Sequence, residues 1–398
     1  MPSGLAHVAT ASFLASRISP TAGFWIALAG GLALARIGEL RGARVAYGAS
    51  IAAMLQTVAV MGPIRFGVPF TQALTAPLLG RLEARGRTQT VQILVCAAIR
   101  LAQNAVFVAF GILVLVGGVD AYTDTYDSIA RWMPLLPEGT SAALIATAVG
   151  LLIWAVFAST VQVVVYRRGL HRWPSEQRHG PRELTPEPEH DTRRRFDPRA
   201  IALAAAIAFA LLMASTAWVL LASVAAWLAL AWFAARGDRD IVRVGLGIAL
   251  VLAAGVFTFV LIGGAGLDVA LRRALRACLL VLVATWLRAA AGSPGLREVS
   301  RRTLLRLGRL PAVREASQVL EQLGTGRQLG PAAGSIMEAV RDVPKSVVPM
   351  LDAVLGWVAD ESGRFRPVPP SPPLHLHARP LDAALVLLAL APLALLIS

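Results

Sequence analysis

The sequence predicts an all-α fold, a polytopic membrane helical bundle of about nine membrane segments with two cytoplasmic amphipathic helices. Three observations lead to it. Hydrophobic residues make up 56% of the 398-residue chain and charged residues only 16%, whereas a soluble domain carries about 25% charged residues over its core. Apolar runs of spanning length, for which about 20 residues suffice, recur along the chain. The basic residues are nearly all arginine, Lys345 being the sole lysine. They gather between alternate runs, as the positive-inside bias requires.

The same totals exclude several classes. A net charge of +14 would suit a nucleic-acid binder only on a soluble basic face interleaved with aromatic residues, and no such domain is present. Cys96 and Cys278 lie inside apolar runs, without metal-ligand spacing or a disulfide framework. Residues 5–16 are mildly apolar with no preceding positive charge, so a cleaved signal peptide is not expected.

The first apolar run covers 22–37 and is followed by Arg41 and Arg44; the second covers 45–62. The third, 66–80, contains Pro69 and Pro77 and is short for a crossing, so it predicts a broken or re-entrant helix. A basic loop, 81–87, precedes an apolar stretch ending at Gly117. Residues 119–140 set Asp120, Asp124, Asp127 and Glu138 against one arginine, Arg131, and predict a solvated external loop. The run 141–166 returns and is stopped by Arg167 and Arg168. Residues 1–166 thus read as an N-terminal membrane domain. Residues 167–195, rich in Pro, Arg, Glu and His, read as a mobile cytoplasmic linker.

The C-terminal membrane domain, 196–398, opens with Asp197 placed to cap a helix and Pro198 in its first turn. The apolar run 200–235 would span about 54 Å as one helix, too long for a hydrocarbon core of about 30 Å. Two short helices with a turn at Ser215-Thr216 fit better. Residues 244–262 cross outward to a glycine-rich turn at 263–266, and 269–291 cross back. Arg272, Arg273 and Arg276 lie near the outer end of that last run, and are expected to snorkel or to face the bundle. From 292 to 373 the chain is expected to stay outside the membrane, with amphipathic helices at 296–323 and 335–358. A proline-rich connector, 367–373, then leads to a final span over 381–397.

This order, four spans, two amphipathic helices and a last span, resembles the transmembrane T component of energy-coupling-factor (ECF) ABC transporters over residues 196–398. The residues that carry the resemblance are Asp197-Pro198-Arg199 before the first span, Ala291-Gly292-Ser293-Pro294 before the first amphipathic helix, and Asp382 before the last span. In that family each amphipathic helix ends in Ala-Arg-Gly, and its arginine docks on a cytoplasmic ATPase. An arginine at a helix end offers a rigid five-donor fork, and glycine ends the helix. The corresponding positions here read Gly324-Thr325-Gly326 and Glu361-Ser362-Gly363, with both arginines missing; Arg327 and Arg364 follow directly and are the candidate substitutes. An intact Ala84-Arg85-Gly86 occurs in the first half, as a docking arginine or as an ordinary positive-inside turn.

Candidate solute-binding residues lie in the first half. The stretch 61–72 combines two prolines, two glycines, Arg65 and Gln72; interrupted apolar segments of this kind form transporter sites or mere interfacial turns. Gln56 on the preceding run joins that set. Arg100 and Asn104 are four apart on one helix face. If their span begins at Val91, Arg100 is deep and marks a pocket; if it begins at Ile99, Arg100 snorkels to the interface, which avoids the cost of burial. His375 and His377 form a lone His-x-His pair that reads as solvated connector rather than a metal site.

No phosphate-binding glycine loop, catalytic triad or pair of intramembrane carboxylates is present, so neither an enzyme nor a resident cofactor or metal is expected. The resemblance implies a membrane component that couples cytoplasmic ATPases to a membrane solute-binding subunit, which the first half could itself supply, in a bacterial inner membrane. The alternative is a membrane scaffold that keeps the fold and has lost ATPase coupling.

Overall fold

A computed structural model describes residues 2–18, 23–63, 68–133, 136–173, 196–235, 239–323, 326–344, 346–365 and 379–397. They form an all-α helical bundle, with no strand among the described residues. In chain order the helices are α1 (Pro2–Ser16), α2 (Gly23–Arg41), α3 (Ala43–Met61), α4 (Val68–Ala84), α5 (Gln89–Phe110, continued by a π-helical turn Gly111–Val116), α6 (Val119–Ala130), α7 (Thr140–His171), α8 (Pro198–Ala214), α9 (Trp218–Ala235), α10 (Arg239–Ile262), α11 (Leu267–Arg306), α12 (Pro311–Gln322), α13 (Gly326–Arg341), α14 (Val347–Arg364) and α15 (Pro380–Ile397).

Seven of these helices are long and apolar enough to cross a membrane. The outer ones present large apolar side chains outward: Leu113 on α5, Ile153 and Phe157 on α7, Phe233 on α9 and Val251 on α10 are all exposed. Water would not tolerate so many exposed large apolar side chains on long helices, and lipid does. The chain is a multi-pass membrane protein.

The helices sort into two compact units, each drawing on both halves of the chain. One comprises residues 1–100, 155–191 and 293–374, the other 101–154, 192–292 and 375–398.

In the first unit a single core joins α1–α4 and the C-terminal part of α7 to α12, α13 and α14. Phe13, Ile26, Leu32, Leu79 and Tyr166 share it with Leu320, Ile336, Val354 and Val358. Glycines set the close approaches. A Cβ on Gly80 of α4 would stand 1.8 Å from the Ala35 carbonyl oxygen of α2, and one on Gly48 of α3 would stand 2.5 Å from Glu315 of α12. Small residues at crossings let backbones pack by direct contact, which is how membrane helices associate.

Over its described residues, Val68–Ala84, the proline-bearing third run is one continuous helix rather than a broken one. Pro77 lacks the N–H that would bond the Ala73 carbonyl four residues back. The Ser50 hydroxyl of α3 donates to that carbonyl at 2.5 Å, and Tyr47 donates to the next, that of Leu74, at 3.0 Å. Side chains from a neighbour thus replace the missing backbone bond.

Other boundaries also differ from expectation. The acidic segment after Gly117 is the helix α6, not a loop, and buries Thr123 and Thr125. Helix α7 runs through Arg167 and Arg168 to His171, so the linker begins later than residue 167; residues 174–195 lie outside those described. The amphipathic segments 296–323 and 335–358 are each divided. The first breaks before Pro311, which starts α12, and the second divides into α13 and α14. These helices pack on the first half of the chain, α12 against α3, and α13 and α14 against α1.

In the second unit, Asp197 caps α8 by accepting from the Arg199 N–H at 2.8 Å. Asp382 at the start of α15 accepts from the Asp197 N–H at 2.8 Å and from the Arg379 N–H at 2.7 Å. The two aspartates that opened and closed the resemblance therefore meet. The run 200–235 is divided into α8 and α9, with Ser215 extended between them. Arg276 does not snorkel: it is 5% exposed and donates to the Met213 carbonyl at the end of α8, a favourable place for a positive charge. Backbone at Gly292 leaves the helical region (φ 64°) and kinks α11 before Ser293-Pro294.

Candidate functional site

The first unit contains a polar cluster enclosed by otherwise apolar helices. Helix α5 begins at Gln89, so Arg100 stands about 16 Å along it. It is 5% exposed and buried, not snorkelling. Its guanidinium donates to Gln162 Oε1 of α7 at 2.7 Å. The Cys96 thiol, one turn earlier on α5, donates to the same oxygen at 3.2 Å. The Gln162 amide nitrogen donates in turn to Gln72 Oε1 at 2.7 Å and to Thr75 Oγ1 at 2.8 Å, both on α4. The Tyr166 hydroxyl completes the set by donating to Gln72 Oε1.

Local sequence explains how these groups converge. Ser159, Gln162 and Tyr166 recur at three- and four-residue spacing, on one face of α7, and each is fully buried or nearly so. Cys96 and Arg100 share a face of α5, and Gln72 and Thr75 a face of α4. Gly31 of α2 makes room: a Cβ there would lie 1.7 Å from the Tyr166 hydroxyl oxygen. A buried polar network of this kind is costly unless its members satisfy one another.

Of the solute residues expected from sequence, the structure brings Gln72 and Arg100 into this cluster. Gln56 is fully buried on α3. Asn104 is half-buried, and the buried amide of that turn is its neighbour Gln103. Arg65 lies outside the described residues. Sequence reading missed Thr75, Cys96, Gln162 and Tyr166. The spacing of polar residues along 159–166, inside an apolar run, was the available signal.

The expected docking residues have different settings. Arg85 is exposed at the C-terminal end of α4. Gly86 adopts φ 64° and donates to the Glu83 carbonyl at 2.9 Å, while Arg87 N–H donates to the Leu82 carbonyl at 3.1 Å. This is the paired-bond arrangement in which glycine ends a helix. The Glu83 carboxylate, largely buried, holds that end by ion pairs with Arg167 at 3.1 Å and His171 at 2.9 Å. Gly324 and Thr325 lie outside the described residues, and Gly326 and Arg327 open α13 rather than closing a helix. Ser362 and Gly363 are half-buried inside α14. Arg364, its last residue, pairs with Glu361 at 3.9 Å. The Ser362 carbonyl lies against Gly4 of α1, where a Cβ would stand 2.6 Å away.

Among the described residues no group of three metal-ligating side chains converges; His375 and His377 lie outside them. No protein family, curated protein or solved structure matches the chain.

Proposed function

We propose that this chain is the integral membrane component of an ECF-type ABC uptake transporter in a bacterial inner membrane, with its solute-binding part supplied by its own first half. The observation that carries this reading is the shared core of α1–α4 with α12–α14. Force applied to the amphipathic helices by ATPases would reach the N-terminal helices through packed side chains, without a separate subunit between them. The chain has no nucleotide-binding motif, so energy must come from another polypeptide. Arg85 is the docking arginine of this scheme: it is exposed, and it follows a helix end that Glu83 and Gly86 hold rigid. The buried Arg100 cluster is the solute site, since an ionisable side chain at membrane depth is retained for binding or transport.

The test is co-purification from the source cell's own membranes in mild detergent. Recovery of a pair of ABC-type ATPases, lost in R85A, is the expected result. Recovery of the folded chain without any ATPase overturns the reading.

One observation favours a second reading, a membrane scaffold that keeps the fold without coupling. Arginine is missing at both Thr325 and Ser362, and the Ser362 backbone is covered by α1. Under that reading T325R/S362R gains ATPase binding that the parent lacks. No gain in a folded variant would show that these are not coupling helices.

A further inference from the structure

We infer that the Arg100 cluster is a site for a small carboxylate-bearing solute, whose charge Arg100 neutralises and whose oxygens take up the donors that the cluster leaves open. The inference rests on the reading of this cluster as the solute site, and names the chemical class of its ligand.

Donors and acceptors within the cluster do not balance. A carbonyl-type oxygen has two lone pairs. Gln162 Oε1 uses both, on Arg100 and Cys96. Gln72 Oε1 uses both, on Gln162 and Tyr166. Thr75 Oγ1 accepts from Gln162 and gives its own proton to the Thr71 carbonyl at 2.8 Å. The amide oxygens of the cluster are thus filled, and only lone pairs on the Thr75 and Tyr166 hydroxyl oxygens stay open. Donors remain: Arg100 Nε and Gln72 Nε2 are both buried without a hydrogen-bond partner. They belong to side chains joined through a single residue, Gln162.

The charge count points the same way. No carboxylate pairs with Arg100 among the described residues, although Glu83, Glu298 and Glu361 all have basic partners. A buried charge without a counterion is costly in a protein interior and more so at membrane depth. What completes the site must therefore bring negative charge and acceptor atoms together. A carboxylate does both, and its two oxygens match the planar fork of a guanidinium. A cation or a neutral donor-rich solute would add to the surplus. Every group of the cluster is closed to solvent, so entry requires the helices to part, as a transport cycle would make them.

The test uses the full chain in detergent, with thermal unfolding followed in sodium propionate, sodium benzoate and sodium chloride at matched ionic strength. A rise of about 5 °C in one or both carboxylates, and not in chloride, is expected near saturation. R100Q should abolish the rise and, by removing an uncompensated charge, should unfold no earlier than the parent without ligand. R100K should keep a weakened response, and the exposed-site control R131Q should keep the whole of it. A rise in chloride equal to that in carboxylate, no rise in either carboxylate, or a response that survives R100Q overturns the inference. The two proposals fail separately. A carboxylate response without co-purifying ATPases leaves the anion site standing and removes the transporter, and ATPase recovery without the response does the reverse.

Discussion

The Ser50 hydroxyl donates to the Ala73 carbonyl at 2.5 Å, the carbonyl that Pro77 cannot reach. This one side chain accounts for α4 remaining continuous through a proline and ties α3 to α4 at the same point. S50A should leave that buried carbonyl unsatisfied, at a cost of about 1–3 kcal/mol. P77A restores the backbone donor, so S50A should cost markedly less in a P77A background. Thermal unfolding of the single and double variants measures the difference. Equal costs in both backgrounds would refute the compensation.

Gly80 and Gly247 separate a packing glycine from a replaceable one. A Cβ on Gly80 meets the Ala35 carbonyl oxygen at 1.8 Å, whereas one on Gly247 meets nothing within 4 Å. G80A should force α2 and α4 apart and cost about 3 kcal/mol or more. G247A should be neutral or stabilising by up to about 1 kcal/mol, since alanine is the better helix former. The comparison is read from unfolding midpoints in the same detergent.

Tyr166 and Gly31 should show non-additivity. A methyl at residue 31 collides with the phenolic oxygen of Tyr166 first, at 1.7 Å, and with the ring carbon behind it at 2.8 Å. Y166F removes the first obstacle and one donor to Gln72. The double variant G31A/Y166F should therefore be more stable than the sum of the single effects, by about 1–2 kcal/mol. Simple additivity would place the phenol elsewhere.

His7 gives the first unit a dependence on pH. It lies buried in α1, stacked on Phe365 at 4.4 Å, and burial lowers its pKa from 6.5 to about 4. The neutral ring is the one that fits the folded state, so its contribution is intact above pH 6.5. As pH falls from 6.5 towards 4 the unfolded chain takes up a proton that the folded chain refuses, and stability drops by about 3 kcal/mol across that window. H7F should flatten the profile between pH 4 and 6.5. An unchanged slope in H7F would assign the acid sensitivity to other groups.

The helix class and the approximate spans were legible because lipid imposes length and apolarity directly on the sequence. The turn at Ser215, the cap at Asp197 and the last helix follow from rules that act over a few residues. The reading failed where a distant partner decides. Pro77 looked like a break because its replacement donor, Ser50, is 27 residues away. Arg100 looked able to snorkel because Gln162, which holds it inside, is 62 residues away. The apolar faces of the helices after Gly292 were legible as amphipathic spacing, but nothing in them named α1 and α3 as their cover.

Composition and run length alone determined that this chain is a helical membrane protein, since burial of backbone polar groups in lipid leaves few other solutions. Only the tertiary structure decided which polar side chains meet. Hydrogen bonds between helices depend on register and rotation across a crossing, and neither is written in the periodicity of any one helix. The union of Gln72, Arg100 and Gln162 is therefore a property of the packed bundle.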